Sequence, residues 1–176
     1  MYLETSRLIL RPLEPRDLPA LRLLLTDLRV MRYTSLSLTE ADVQNWYARQ
    51  RSLHHRYGLG LLAAISRKDG QFLGQVGLSP PSGVRGGRIL ELRYFLLPAF
   101  WTQGFATEAA TACREYAFTA RRTPTLCAVI HRDNLLSQRV ARRIGMRRIS
   151  HAPFGMLYGE GPHDLYTIEN PTGTVL

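Results

Sequence analysis

The run Pro98-Ala99-Phe100-Trp101-Thr102-Gln103-Gly104-Phe105-Ala106-Thr107-Glu108-Ala109-Ala110 constrains the fold more than any other part of the chain. Ahead of it, Leu90-Glu91-Leu92-Arg93-Tyr94-Phe95-Leu96-Leu97 is apolar and partly alternating, as a strand is. Behind it, Phe105, Ala109, Ala112, Cys113, Tyr116, Ala117 and Ala120 recur at helical spacing. The chain therefore passes from strand to helix through one tight turn. Gly104 and the small Ala106 sit in that turn, where small residues let the backbone approach a ligand. The free N–H groups of a helix start point outward, and the helix dipole favours an anion there. A lone Gly-x-Ala asks for no more than a glycine that eases a strand into a helix. The same arrangement is also that of a pyrophosphate cradle.

Length and composition bound the rest. A chain of 176 residues suits one domain, spanning 1–176, with a sizeable core. Hydrophobic content of 45% and charged content of 21% are those of an ordinary globular protein. No apolar run approaches the ~20 residues of a membrane span. The first residues, Met1-Tyr2-Leu3-Glu4-Thr5-Ser6-Arg7, lack the charged start and apolar stretch of a signal peptide. Cys113 and Cys127 fall in a helix face and a strand, and read as reduced core residues rather than a disulfide or metal pair. A cytoplasmic location is expected. The formal net charge is +9, with the cationic residues almost wholly arginine. Such a surface attracts polyanions: the phosphates of a cofactor, an acidic protein substrate, or RNA near it. A coding bias toward arginine accounts for it equally well. The arginines are spread along the chain without an aromatic-interleaved motif, so no specific nucleic-acid partner is expected.

Taken in order, Ser6 to Pro12 alternates as a short first strand, and Pro15 with Asp17 opens a helix carrying Leu18, Leu21, Leu24, Leu25 and Leu28 on one face. Thr39, three residues before Asp42, caps a second helix running through Trp46 and Tyr47 to about His55. Gly60 to Ser66 and Gln71 to Leu78 are paired strands about a Lys68-Asp69-Gly70 turn. A loop rich in Pro, Gly and Ser, 80–87, precedes the central strand. Thr125 to Ile130 is a buried strand, and His131 to Asn134 a turn. Asn134 to Ile144 is a helix with Leu136, Val140 and Ile144 inward, closed by Gly145. Strand candidates follow near Phe154 to Tyr158 and at Asp164 to Glu169.

The turn resembles the acyl-CoA-binding loop of the GNAT superfamily of N-acetyltransferases, whose pattern is Gln/Arg-x-x-Gly-x-Gly/Ala. Trp101 stands at the first position, a departure that is similar to the ribosomal-protein N-terminal acetyltransferase (RimJ/RimL) branch. Members of that branch read Glu-hydrophobic-Gly-Tyr, then Pro-x-x-Trp-Gly-x-Gly-Tyr-Ala-Thr-Glu-Ala; here Arg93 and Thr102 replace two of the glycines. Thr5-Ser-Arg-Leu-Ile-Leu-Arg-Pro-Leu13 with Asp17-Leu18, Phe72-Leu-Gly-Gln-Val-Gly-Leu78 and Gly145-Met146 agree with the same branch. The resemblance covers nearly the whole chain and is strongest from Glu91 to Met146. It implies an α/β (α+β) GNAT fold: a mixed, mostly antiparallel sheet of about seven strands, flanked by about four helices and splayed between strands four and five. It implies acetyl transfer from acetyl-CoA to a primary amine by direct attack in a ternary complex, with no metal, in a monomer or homodimer.

The resemblance also distributes roles. Amides of Gln103, Gly104, Phe105, Ala106 and Thr107 would bind the pyrophosphate, with Thr102 beside them. The pantetheine arm would lie along Phe95 and Leu96, where a bulge N–H near Leu96 would polarise the thioester carbonyl. Asn134 would hold that arm and Ser137 sit near the sulfur, although Asn-x-x-Ser is also a plain helix cap. The tyrosine that many family members carry later on this helix is replaced by Ala141, so Ser137 is the candidate to assist the leaving thiolate. Arg32, Tyr33 and Trp46 would line the acceptor site; for Trp46 simple packing serves as well. Glu91 is the candidate base, sharing a strand face with Arg93 and Phe95; an ion pair with Arg93 explains it equally well. One of Arg139, Arg142 and Arg143 would reach the 3′-phosphate of CoA, though surface solvation suits each of them better. The five histidines lack metal spacing with the cysteines.

The acceptor decides how strong a base is needed. An α-amine of pKa ~8 is ~10% neutral at pH 7, whereas a lysine at ~10.4 is under ~0.1% neutral, a gap of roughly 3.4 kcal/mol. The sequence leaves open a protein N-terminus, a small amine such as an amino sugar, polyamine or antibiotic, and a non-catalytic acyl-CoA sensor. The missing tyrosine fits a sensor; Glu91 and Ser137 do not. No Lys-Ser/Thr follows the glycine turn, which weakens a P-loop hydrolase.

Overall fold

The computed structural model describes residues 1–34, 39–80, 89–151 and 162–172. A two-residue strand β1 (Leu3–Glu4) leads to β2 (Leu8–Arg11), whose Leu8 and Leu10 point inward. Arg11 then binds Asp17 with two hydrogen bonds, 2.7 and 2.9 Å, and Asp17 is buried. This paired charge fixes the start of α1 (Leu18–Thr26) against the strand it follows. Leu21, Leu24 and Leu25 are fully buried, each burial stabilising by about 1.5–3 kcal/mol. Leu28 does not continue that face. Asp27 accepts from the N–H of Arg29 and starts a separate short helix, α2 (Leu28–Met31), leaving Leu28 81% exposed.

Helix α3 (Glu40–Tyr57) begins as expected at Thr39, which forms a capping box with Asp42. Strands β3 (Gly60–Ser66) and β4 (Phe72–Ser79) form the anticipated hairpin, with Gly70 at a φ of 72°. After β5 (Ile89–Leu96) the chain turns into α4 (Phe105–Thr119), then β6 (Thr125–His131) and α5 (Leu135–Arg143). Strands β7 (Arg147–His151) and β8 (His163–Glu169) complete the sheet. β1 and β7 are additions to the expected strands, and the candidate at Phe154 to Tyr158 lies outside the described residues. Most of the 80–87 loop does too. In α5 the buried residues are Gln138 and Ala141, with Ile144 buried just past its end; Val140 packs against the core, while Leu136 is 40% exposed. Among the described residues no helix is long and apolar enough to cross a membrane.

The sheet runs β1-β2-β3-β4-β5-β6-β8-β7, and every pairing is antiparallel except β5 with β6. Side-chain alternation sends Leu61, Ala63 and Ile65 to one face, beneath α1 and α3, and Leu62 and Ala64 to the other, with α4. The β5–β6 pairing is short: Ile89 faces Thr125, Leu90 faces Leu126 and Glu91 faces Cys127. Beyond that point β5 stays with β4 as far as Leu96, and β6 stays with β8 as far as His131. The sheet thus parts into two wings, as the family resemblance implies. Among the described residues no bulge occurs near Leu96; the β4–β5 register is regular, and the irregularities fall between β3 and β4 at Ala64/Ile65 and between β7 and β8 at Arg148/Ser150.

Gly74 shows how tightly β4 and β5 approach. A Cβ there would lie 2.1 Å from the Phe95 carbonyl oxygen and 2.7 Å from the Leu96 Cα, with φ at +153°. Gly74→Ala is therefore expected to lower stability by about 3 kcal/mol or more in urea unfolding. An unchanged midpoint would show that the two strands can move apart freely.

Candidate active site

Between the parted ends of β5 and β6 lies a cavity of about 590 Å³. Alternation along the two strands gives it two distinct sides. Leu92, Tyr94 and Leu96 of β5, with Ala128 and Ile130 of β6, face α4 and α5. Glu91, Arg93 and Phe95, with Val129 and His131, face α1, α2 and α3. Glu91 lies at the vertex, where the pairing ends, and is 2% exposed.

The α4 side carries the turn. Thr102 and Gly104 both have positive φ, 60° and 85°. The helical ladder starts with the Glu108 N–H on the Gly104 carbonyl, 3.0 Å, so the amides of Phe105, Ala106 and Thr107 precede it. Thr102, Gly104, Ala106 and Thr107 line the cavity. Gln103 and Phe105 do not: their side chains brace the turn. Gln103 Nε2 donates to the Ala99 carbonyl at 2.7 Å, and Phe105 packs edge-on to Phe100. The turn is held from outside by the N-terminal segment. Arg7 binds Glu108 at 2.6 Å, donates to the Gln103 carbonyl at 3.0 Å, and covers the Phe105 ring at 4.3 Å. Thr5 and Ser6 hydroxyls and the Arg7 N–H also donate to Glu108, at 2.6, 3.0 and 2.8 Å. Burial works to raise the Glu108 carboxyl, but these hydrogen bonds outweigh it and hold the group below its ordinary value.

The inner edge of β5 supplies polar backbone. Leu97 N–H donates to the Leu73 carbonyl of the β4 side, 2.9 Å, so alternation turns the Leu96 and Tyr94 amides toward the cleft. The Leu96 carbonyl accepts from the Trp101 indole at 2.7 Å, which fixes Trp101 against this edge.

Tyr94 was not singled out from the sequence and is central here. Its hydroxyl donates to the Ser137 carbonyl at 2.8 Å and accepts from Ser137 Oγ at 2.9 Å. Burial pushes the phenol well above its ordinary pKa, with the Ser137 hydrogen bond acting in the opposite sense. It therefore stays a neutral donor. Asn134 caps α5, its Oδ1 accepting from the Ser137 N–H at 3.1 Å, and both residues line the cavity. Ala141, where a tyrosine was looked for, is fully buried in the core, whereas Tyr94 brings a phenol to the cavity from β5. The signal was available: alternation puts Tyr94 on the face opposite Glu91.

On the other side, Arg93 Nε lies 3.8 Å from Glu91, and the Arg93 guanidinium 5.7 Å from the Phe95 ring. Arg32 and Tyr33 line the cavity as expected. Tyr33 stacks on His131 at 5.1 Å, and His131 meets His163 edge-on at 5.1 Å. The Asp133 N–H donates to His131 Nδ1 at 3.1 Å. Trp46 does not reach the cavity. It is buried behind Phe95, edge-on at 6.3 Å, with its indole donating to Gln75 Oε1 at 2.9 Å. Cys113 and Cys127 are free and buried. Burial pushes both thiols up to about 12, with the Glu91 carboxylate adding to the rise at Cys127. Among the described residues no group of three or more His, Cys, Asp or Glu side chains could hold a metal ion.

A sheet parted between parallel neighbours, with a helix start at its mouth, is the architecture of an acyl-CoA-dependent acetyltransferase. Residues 7–147 match the model of the acetyltransferase (GNAT) domain, and the chain belongs to that family. It is similar to YkkB of Bacillus subtilis (strain 168), 35% identical over 82% of this chain and 84% of that one. It is also similar to the uncharacterized N-acetyltransferase YoaA of the same organism, 28% identical over 96% and 97%. Among solved structures, the acetyltransferase from Agrobacterium tumefaciens str. C58 superposes with a TM-score of 0.82 at 27% identity, over 96% and 94% of the two chains. The ribosomal L7/L12 alpha-N-protein acetyltransferase RimL in complex with coenzyme A gives 0.80 at 15%, over 96% and 98%, a likeness of fold.

Two consequences are measurable in the free protein. Thr102 is β-branched and left-handed, which costs on the order of 1–3 kcal/mol. Thr102→Gly is expected to raise stability by about 1 kcal/mol, after the loss to the more flexible unfolded chain. A lower urea midpoint would mean that the Thr102 side chain stabilises the turn. For Glu108, a depressed carboxyl contributes stability above the unfolded pKa of about 4.3, and that contribution fades as pH falls through the folded value. Glu108→Gln should thus be destabilised at pH 7 and converge on the wild type as pH falls through the lowered folded value. A gap that persisted at acid pH would show the hydrogen bonds to be independent of its charge.

Proposed function

We propose that the chain is a RimJ/RimL-type N-acetyltransferase that moves the acetyl group of acetyl-CoA onto the α-amine of a protein N-terminus. The observation that carries this reading is the opposition of two proton-handling groups across one cleft: Tyr94 with Ser137 on the α4 side, Glu91 with Arg93 on the other. The residues of the turn fit the cofactor. Three helix-start amides and a glycine of positive φ suit an anion, and the β5 edge offers amides and an apolar wall. Acetyl-CoA supplies the thioester.

The chain's own residues supply the rest. Thr102, Gly104, Ala106 and Thr107 would hold the pyrophosphate, and Asn134 and the edge at Leu96 the pantetheine. Glu91 takes a proton from the ammonium, directly or through one water. Ser137 Oγ, whose proton rests on the Tyr94 hydroxyl in the free protein, would turn that proton to the leaving thiolate; a thiol of pKa ~8.5 asks for no stronger acid. An α-amine acceptor suits a carboxylate base at pH 7, because most of the deprotonation cost of a lysine is absent. Ribosomal-protein acetyltransferases among the structural neighbours support this acceptor class through fold alone.

The direct test is thiol release from acetyl-CoA against a panel of peptides with free N-termini, beside small amines and a no-acceptor control. Acetylation of peptides at the α-amine is the expected result; acetyl-CoA binding without turnover on any amine would mark a sensor. Ser137→Ala should lower kcat about tenfold with acetyl-CoA affinity nearly unchanged. Tyr94→Phe, which removes the phenol that positions the Ser137 hydroxyl and carbonyl, should fall in the same range. Glu91→Gln should shift the pH–rate profile upward, as hydroxide replaces the base. Superimposable profiles from pH 6 to 9 would reduce Glu91 to a partner of Arg93.

A further inference from the structure

Arg93 lies in the middle of β5, on the face of the cavity opposite Tyr94 and Leu96. Its side chain is 28% exposed, so most of it is shielded from water. Among the described residues, its charged contact is Glu91 Oε1 at 3.8 Å, beyond hydrogen-bond reach, and its other contact is the Phe95 ring. A guanidinium carries five donors, and a half-buried cation without hydrogen bonds is costly. Glu91, at the closed end of the cleft, is too far to absorb that charge alone. The Arg93 donors are therefore left for something that enters the cavity.

Arg32 adds a second cation at the same end. It is exposed and lines the cavity, and among the described residues its charged head meets the Tyr33 ring at 5.5 Å rather than a carboxylate. Arg29 lines the same region, but Asp27 neutralises it at 2.6 Å. Asp133, near His131, is an outward-facing carboxylate, 79% exposed. Among the described residues the acceptor end thus carries more cations than its acids balance.

Resting on the acetyltransferase reading above, we infer that Arg93, assisted by Arg32, is a specificity-determining residue that selects acceptor amines carrying a carboxylate close to the amine. For a protein acceptor this means an acidic residue at the start of the chain; a free amino acid would present the same chemistry. The guanidinium engages the carboxylate as a fork while Glu91 stays beside the amine. Polyamines and other polycations are disfavoured by the same charges.

The test compares acceptors that differ only in charge: a peptide beginning Ser-Asp against Ser-Asn, and a free amino acid against its amide. The wild type should favour the charged member by about tenfold or more in kcat/KM, mainly through KM. The peptide and amino-acid arms separate the two sources. Arg93→Gln should bring the ratio close to one, and Arg93→Glu should invert it in favour of Ser-Lys over Ser-Asp. Calorimetry with CoA checks folding and the alternative assignment together, because Arg93 faces away from the turn that would hold the phosphates. A wild type that acetylates both members equally, or an Arg93→Gln that keeps the preference, overturns the inference while leaving the transferase reading intact. Loss of CoA affinity in Arg93→Gln, with a native thermal transition, would assign Arg93 to the cofactor and overturn it too. Absence of turnover on every amine would instead sink the reading on which it rests.

Discussion

The molecule depends on a short parallel pairing, three residues long among the described residues. Ile89, Leu90 and Glu91 bond to Thr125, Leu126 and Cys127, and then two strands that could have continued do not. Each half keeps its partner on the far side, so the sheet loses ladder bonds only along the cleft. What the inner edges lose in pairing is partly made up locally. The Trp101 indole takes the Leu96 carbonyl, and the Tyr94 and Ser137 hydroxyls tie β5 to α5 across the gap. Unsatisfied edge groups are otherwise costly when shut away from water. The remaining amides face an open, roomy cavity, where a ligand can complete the ladder. Parting the strands makes the site and leaves it incomplete in the same act.

The turn after β5 stores a related tension. Thr102 holds a left-handed backbone where glycine would sit without strain, and its hydroxyl donates to the Trp101 carbonyl at 2.7 Å. The turn stays fixed because it is clamped from the N-terminus. Arg7 reaches Glu108, the Gln103 carbonyl and the Phe105 ring at once, joining β2 to α4 across about a hundred residues of chain. Glu108 would be a poor neighbour for an anion if it were free. Bound by four donors from Thr5, Ser6 and Arg7, its charge is neutralised on the side away from the cleft.

Much of this was legible in the sequence because the information was local. The strand–turn–helix, the Thr39–Asp42 box, the Gly70 hairpin and the Asn134 cap each depend on residues within a few positions of one another. The failures share a physical cause. Leu28 and Leu136 carry the right hydrophobicity at the right spacing, yet both are exposed. Asp27 restarts the helix before Leu28, and in α5 the inward place goes to Gln138, whose amide donates to the Arg132 carbonyl at 2.6 Å. Periodicity counts apolar residues and misses a polar one that is satisfied inside. β7 escaped because its described side chains, Arg147, Arg148 and Ile149, are exposed at the sheet edge and need no alternation. Arg148 bonds Asp164 of β8 instead. Tyr94 meets Ser137 over 43 positions, a contact that only the tertiary fold creates.

The alternation that hid Tyr94 also explains why the site can hold an acid and a base together. A carboxylate and a hydroxyl pair free to meet in one pocket would hydrogen-bond each other, and each would lose its availability. Here β5 itself stands between them. Glu91 projects to one face, and Tyr94, three residues on, to the other, so the backbone separates the two groups while the parted strands open both to one cavity. In the proposed reaction the amine approaches from the Glu91 side and the thioester from the Tyr94 side, and they meet through the slot that missing pairing leaves. The proton taken on one side need not be the proton given on the other. A pleated strand with one neighbour withdrawn therefore supplies both the wall that keeps the two groups apart and the opening through which the substrates meet.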